Sequence, residues 1–474
     1  MAPARSLMWS ALPIVRTAHT RAASTACIDV LGARADTPST ARAVHLNAAG
    51  ASPPPASVLR AQIAHLELEA EVGGYAAAAA AAEAEERVYA SVARLLNAAS
   101  PSEIALLDSS STAFAKAIYS VPLRPGRDDV LLSCSDAEYG ANAVALLQHA
   151  ARHGASVCAL PSAPGGGVDL RALAGALGRG RGRVRAVCLT HVPTNSGLVA
   201  DAAAVGKVVR ECAGAPEDGG PLFLLDACQS VGQLHVDVRA IGADFASATG
   251  RKWLRAPRGT GLLYARGALL APGCQLLAEP PMLDHASAEW LAPAGAAPDV
   301  RGGRDSGADG VRGALGLGGL GAYAVRQDAR RFQFWEASIG ARLGLGAAVD
   351  YALALGTERI ERAVRERAAR VRDAACRVRG VRLADPVADG DGACGLSGVV
   401  ALDVEALGGA SAVHAALARA RVMVGTSPPG STALDASRRR LPTLLRVSAH
   451  YFSDDADVEA LLRGLAECAR DTRR

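Results

Sequence analysis

Three groups of residues have the types and spacing to do chemistry together. Asp226 ends the apolar run 222–225 and opens the tetrapeptide Asp226-Ala227-Cys228-Gln229. Further on, Ala248-Thr249-Gly250-Arg251-Lys252-Trp253 sets a lysine among the basic neighbours Arg251, Arg255 and Arg258. Upstream, Asp108-Ser109-Ser110-Ser111-Thr112 gathers hydroxyls between a predicted strand and a predicted helix. In an open α/β sheet the carboxyl ends of strands face the ligand crevice, which is where Asp226 is predicted to lie. A lysine amine close to other positive charge loses its proton more easily, as a Schiff-base lysine must. Hydroxyls and backbone N–H groups at a helix start hold a phosphate without an ATP-type glycine loop. Each feature alone has an ordinary reading: an N-cap, a surface lysine, a plain turn. Together they are the parts that pyridoxal 5′-phosphate requires: an acid to keep the pyridine nitrogen protonated, a lysine for the carbonyl carbon and a phosphate cradle.

These residues need a scaffold of alternating strands and helices. Apolar runs predict strands over 103–107, 129–133, 156–160, 184–190 and 222–226, with short strands over 245–249 and 261–264 flanking Lys252. Helical patterns cover 56–71, 76–97, 112–119 and 141–153, the second with Val88, Val92, Leu95 and Leu96 on one face. Most strands are followed by a helix-length segment, which predicts a mostly parallel sheet covered on both faces. Long helices are predicted again over 332–355 and 360–378, and strands of a smaller sheet over 399–402 and 444–448. The expected organisation is a lead over 1–44, a large domain over 45–325 and a small C-terminal domain over 326–474. Residues 293–322, rich in Gly, Ala and Asp, read as a flexible insertion.

Composition narrows the function classes. The chain has 474 residues, is 50% hydrophobic and 21% charged, and carries a net charge of only +4. That is a globular composition without the basic footprint of a nucleic-acid binder, and no apolar stretch reaches the roughly 18 residues of a membrane span. The ten cysteines form no C-x-x-C pair, so neither a disulfide framework nor a clustered zinc or other metal site is expected. The first 28 residues hold Arg5, Arg16 and Arg21 and no acid. This is the composition of a mitochondrial or plastid transit peptide, the alternative being an Ala/Arg-rich tail on a cytoplasmic protein.

The runs Leu225-Asp226-Ala227-Cys228-Gln229-Ser230-Val231-Gly232-Gln233 and 249–264 resemble the class-V aminotransferase family of fold type I. The family includes cysteine desulfurases, selenocysteine lyases and isopenicillin N epimerase, and the likeness extends from about residue 46 to 465. It implies the α/β fold of type I pyridoxal-phosphate transferases: a large domain with a mostly parallel, seven-stranded sheet, and a small C-terminal α/β domain. It also implies a homodimer with sites at the subunit interface and a small amino acid as substrate. By resemblance Lys252 is the catalytic lysine, Asp226 the acid on the pyridine nitrogen and Gln229 the contact to the phenolic oxygen O3′. Ser110, Ser111 and Thr249 match phosphate-binding positions. Arg251 stands where many relatives have a histidine, and its charge suits a phosphate. Tyr139 falls where relatives stack a histidine on the cofactor ring. In His191-Val192-Pro193-Thr194-Asn195 the family's asparagine contact corresponds to Thr194 by spacing and to Asn195 by residue type. Arg446 matches the arginine that clamps the substrate α-carboxylate, and Asn47 and Ala48 lie in the turn that folds over the substrate.

Desulfurases of this family accept sulfur on a cysteine of a mobile loop before the arginine clamp. Here that segment, 422–430, has no cysteine, and none occurs between Cys394 and Cys468. The chain is most similar to the subgroup with Asp-Ala-Cys-Gln, Thr-Gly-Arg-Lys and His-Val-Pro-Thr, which includes the ergothioneine-forming C–S lyase. The resemblance therefore favours β-elimination at a C–S bond over an aminotransferase or epimerase. A third reading, a non-catalytic binding protein, is opposed by the intact set Asp226, Gln229, Lys252 and Arg446.

Overall fold

A computed structural model describes residues 27–291, 312–313, 322–386 and 392–472. Seven strands form the large sheet. Across it lie Ile104–Leu107, Gly261–Ala265, Phe245–Thr249, Leu222–Asp226, Val184–Thr190, Val130–Ser133 and Ser156–Ala159. Gly261–Ala265 runs opposite to the other six, which are parallel to one another. The pleat sends alternate side chains to opposite faces. Leu106, Val187, Leu189 and Leu225 accordingly enter one apolar core, while Ala105, Leu107, Ala186, Cys188 and Leu224 enter the other. Burial on both faces explains why the inner strands read as nearly unbroken apolar runs, whereas the edge strand Ser156–Ala159 is exposed or half-buried along its length.

Register aligns the strand ends that matter. Leu107, Gly261 and Thr249 are partners across three strands, and Thr190, Asp226 and Ser247 across another three. The helix Ser110–Tyr119 begins just beyond the first row, capped by the Ser109 hydroxyl, which accepts from the Thr112 N–H. A side chain at position 261 would collide with the Ser109 backbone, within 2.4 Å, so glycine lets the helix start close over the sheet.

A four-stranded antiparallel sheet follows, in the order Arg382–Leu383, Val399–Asp403, Leu444–Ser448 and Gly425–Ser427. It packs with the helices Thr357–Ala375, Ala410–Arg419 and Asp455–Asp471 around a separate core. The chain start joins this unit: Val44–His45 pairs with Val422–Met423, and Leu46 lies in its core.

Some expectations shift. Part of the lead is built into the fold: Asp29 caps the helix Val30–Ala35, and Arg34 pairs with Asp457 at 2.6 Å and Asp454 at 3.1 Å. Residues 1–26 lie outside the described residues. So does the insertion 293–322, apart from 312–313, a short strand beside Ala322–Val325, and 322 itself. The helix expected from 332 begins at Ile339, because Ser338 caps it there. It packs against Ala56–Val72 and Gly74–Leu96, and its Leu345, Ala348, Val349 and Ala352 belong to the larger core. The chain therefore leaves that core well after residue 326. Gly346 permits this close helix approach, since a methyl there would meet Val88 at 2.7 Å.

Candidate active site

Asp226 is the last residue of its strand and is buried. One carboxylate oxygen accepts the Cys228 N–H at 2.8 Å, and the other accepts the Asn142 side-chain amide at 2.7 Å. Burial raises its pKa, opposed by these two donors and by the Lys252 charge. Lys252 Nζ lies 3.2 Å from the Cys228 sulfur, close enough for its charge to act on the acid.

The loop that carries Lys252 is anchored by Arg255. This residue adopts a left-handed backbone, φ 63°, and its side chain is fully buried. The guanidinium donates to the Pro53 carbonyl at 2.9 Å, the Tyr451 hydroxyl at 2.8 Å and the Thr37 hydroxyl, and lies 4.4 Å over the Phe452 ring. So many fixed partners hold a backbone conformation that a non-glycine residue otherwise resists. Arg255 thus turns away from Lys252, and Arg258 is exposed. The basic cluster expected around the lysine is not formed by these two residues.

Trp253 fixes the other side of the loop. Its indole N–H donates to Gln229 Oε1 at 3.0 Å, and its carbonyl accepts from His450 Nε2 at 2.9 Å. His450 Nδ1 accepts the Tyr451 N–H at 2.8 Å, which sets the tautomer. Burial, then the nearby Arg255 charge, lowers the His450 pKa to about 3, so the ring is neutral.

Arg446, on strand Leu444–Ser448, is 9% exposed. Its Nη1 donates to Thr194 Oγ1 at 2.5 Å, and its buried Nε has no partner. Burial, then repulsion from Arg251, lowers its pKa to about 10, with Tyr139 and Cys228 opposing. It remains a cation at neutral pH, and no carboxylate among the described residues pairs with it. Asn47 lies beside it. A methyl at Gly425 would approach Asn47 Oδ1 at 2.7 Å and Arg446 Nη2 at 3.4 Å, and Asn47 Oδ1 is itself buried and unpartnered.

The structure therefore gathers Lys252, Asp226, Arg446, Thr194 and Asn47 from separate elements, and assigns other partners to several expected contacts. Asn195 donates to Asp435 at 2.6 Å, so of the pair at this position it is Thr194 that meets Arg446. The Gln229 carboxamide, expected at a cofactor oxygen, clamps the Ala49 carbonyl at 3.1 Å and the Trp253 indole. Arg251, expected at the phosphate, donates to the Gly50 carbonyl, and its own carbonyl accepts the Ser52 N–H at 2.9 Å. Ser110 meets Ser247 at 3.3 Å, Thr249 donates to the Thr260 carbonyl at 3.2 Å, and Ser111 is exposed at the helix start. Ala48 is buried, its N–H on the Ser448 carbonyl at 3.1 Å. Tyr139 is 37% exposed at the cap of helix Gly140–His153. Sequence reasoning missed Glu138 and Asn142. Their i, i+4 spacing at a helix start was the available signal.

The family model for class-V aminotransferases matches residues 44–296, more than half of the chain. The chain belongs to the class-V aminotransferase family. It is 29% identical over 430 residues to a probable hercynylcysteine sulfoxide lyase of Mycobacterium tuberculosis, covering 90% of this chain and 91% of that protein. It is 29% identical over 332 residues to a probable cysteine desulfurase of Methanothermobacter thermautotrophicus, covering 69% and 71%. In fold it is similar to the cysteine desulfurase of Thermococcus onnurineus in its apo form, with a TM-score of 0.74, 20% identity, and 93% and 98% of the two chains covered. It is likewise similar to the cystine C–S lyase C-DES in complex with its product cysteine persulfide, at 0.72, 22%, 91% and 99%.

As a member of that family the chain is a pyridoxal-phosphate enzyme of fold type I. Its residues fit that cofactor. A buried acid waits at a strand end for a cationic ring nitrogen, a lysine amine stands beside it, and a helix start beside Thr249 offers N–H groups and hydroxyls.

Proposed function

We propose that this enzyme cleaves the C–S bond of a cysteine S-conjugate or sulfoxide by β-elimination, without a carrier cysteine. One observation carries the reading. Lys252 and the buried Arg446 both lie near Cys228, while the segment leading to the Arg446 strand has no thiol to receive sulfur. The likeness along nearly the whole chain to a probable hercynylcysteine sulfoxide lyase supports it.

When bound, pyridoxal phosphate supplies an electron sink for charge developing at the substrate α-carbon. Asp226 would hold the ring nitrogen, and the start of helix Ser110–Tyr119 with Thr249 the phosphate. Arg446 receives the α-carboxylate on its free donors, since a guanidinium fork matches a carboxylate and this one is buried and short of an anion. Thr194 keeps that fork aimed. Asn47, in the N-terminal turn, lies beside Arg446 with a buried, unpartnered carboxamide oxygen for the same substrate end. Lys252 Nζ takes the proton from Cα, and the sulfur group leaves from Cβ.

Incubation with S-substituted cysteines tests this. Pyruvate in step with released thiol or sulfenate is the expected result. Amino transfer to a keto acid without C–S cleavage would replace the lyase by a transaminase.

The protein is further proposed to be a homodimer, with Met282 at 75% and Trp335 at 52% exposure as supporting apolar surface. Light scattering at the monomer mass would oppose that. The acid-free basic start supports import into a mitochondrion or plastid, checked by fusing residues 1–28 to a fluorescent protein.

A further inference from the structure

Behind Asp226 lies a second buried carboxyl group that the proposed chemistry does not use. Glu138 is 6% exposed. Its Oε1 accepts from the Thr190 hydroxyl at 2.6 Å, from the Tyr139 N–H at 3.0 Å and from Asn142 Nδ2 at 3.0 Å. The same Asn142 nitrogen donates to Asp226 at 2.7 Å. One carboxamide thus spends both its protons on two acids. Two buried carboxylates sharing one neutral donor cannot both be ionised cheaply. Burial drives the Glu138 pKa up, and the Asp226 charge adds to it against the hydroxyl and amide donors.

The geometry also provides for a proton on Glu138. Its Oε2 is 3.0 Å from the Ser133 hydroxyl, and that hydroxyl is 3.0 Å from the Ser135 carbonyl. Ser133 can donate to an ionised Glu138. It can equally accept from a protonated one while donating to Ser135, because a hydroxyl both gives and receives. A carboxyl in a purely accepting role would need no such toggle.

We propose that Glu138 is a proton-holding partner of Asp226, coupled to it by the Asn142 carboxamide, and that it releases its proton to solvent on cofactor binding. Without the cofactor the pair carries one negative charge. With a cationic ring nitrogen at Asp226, a second negative charge is matched, and Glu138 ionises. The other titratable groups facing the pair are Lys252 on the Asp226 side, and Cys134 and Cys188, whose thiols burial pushes far upward, so they stay protonated. Glu138 is thus a positioning residue that acts through Asn142.

The inference rests on the cofactor assignment, and its test separates the two. Calorimetric titration of the cofactor-free protein with pyridoxal phosphate, in buffers of different ionisation enthalpy, counts protons released. Near neutral pH the wild type should release about one proton more per cofactor bound than Glu138→Gln. Ser133→Ala, at a hydroxyl that meets Glu138 and the Ser135 carbonyl, removes the acceptor for a protonated Glu138 and should lower the count in the same direction. In the double variant the change should equal that of Glu138→Gln alone. Binding with equal proton counts in wild type, Glu138→Gln and Ser133→Ala would overturn the proposal while leaving the cofactor assignment intact. No binding heat in the wild type would overturn both.

Discussion

Replacing Arg446 by lysine keeps the charge and removes the fork. Arg446 is 9% exposed and spends Nη1 on Thr194, which leaves Nε and Nη2 for a substrate carboxylate. An ammonium that keeps the Thr194 contact reaches the carboxylate with at most one good donor. A hydrogen bond between charged groups contributes about 1.5–3 kcal/mol. At about 1.4 kcal/mol per factor of ten, Arg446→Lys should lower kcat/KM by roughly 10- to 150-fold. Arg446→Met goes further. It leaves the carboxylate buried and unpaired at about 3–5 kcal/mol, or roughly 150- to 4,000-fold. The carboxylate does not react, so the loss should fall mainly on KM. The assay is pyruvate release across a substrate series, with cofactor content measured alongside. If Arg446→Met kept kcat/KM within about threefold of wild type while holding its cofactor, Arg446 would not be the carboxylate clamp.

Gly425→Ala places a methyl against Asn47 and Arg446. It should raise KM several-fold with little change in cofactor retention; an unchanged KM would separate Asn47 from the substrate. Arg255→Met strips the partners from Pro53, Tyr451 and Thr37. Breaking so buried a set costs about 3–5 kcal/mol, so the melting temperature should fall by several degrees; an unchanged value would show that the Lys252 loop holds itself. His450 gives a pH dependence. Its ring takes a proton near pH 6.5 when unfolded but only near 3 when folded. The unfolded state therefore binds more protons in that window. Stability present above pH 6.5 is lost by about 1.4 kcal/mol per unit as the pH falls. His450→Gln, which keeps a donor for Trp253 and an acceptor for Tyr451, should flatten that acid slope in urea melts; an unaltered slope would assign it to other groups.

The sheet was legible because its inner strands are buried on both faces and so read as apolar runs bounded by helices; the edge strand Ser156–Ala159 is exposed or half-buried throughout. Asp226 and Lys252 were legible because local sequence decides both, one as a strand end and the other in a short loop between strands. Arg446 was picked out by resemblance, within the strand predicted over 444–448. What failed to show was partner choice. Whether Gln229 turns to a ligand or to Trp253, and whether Arg255 faces Lys252 or Phe452, depends on residues brought together from 24 and 197 positions away. Thr194 and Asn195 were left open for the same reason: Arg446 and Asp435 lie far along the chain, and only the packed structure says which neighbour each meets. Glu138 drew no attention because a carboxyl at a helix start reads as a favourable surface charge. Its burial comes from strands that the local pattern does not see.

The most direct test of the central claim is the absorbance spectrum of the purified protein, with and without borohydride, beside that of Lys252→Ala. A visible cofactor band that borohydride abolishes, present in the wild type and lost in the variant, is the predicted result. A wild type that shows no such band even after addition of pyridoxal phosphate would contradict the assignment of Lys252 and the enzyme built around it.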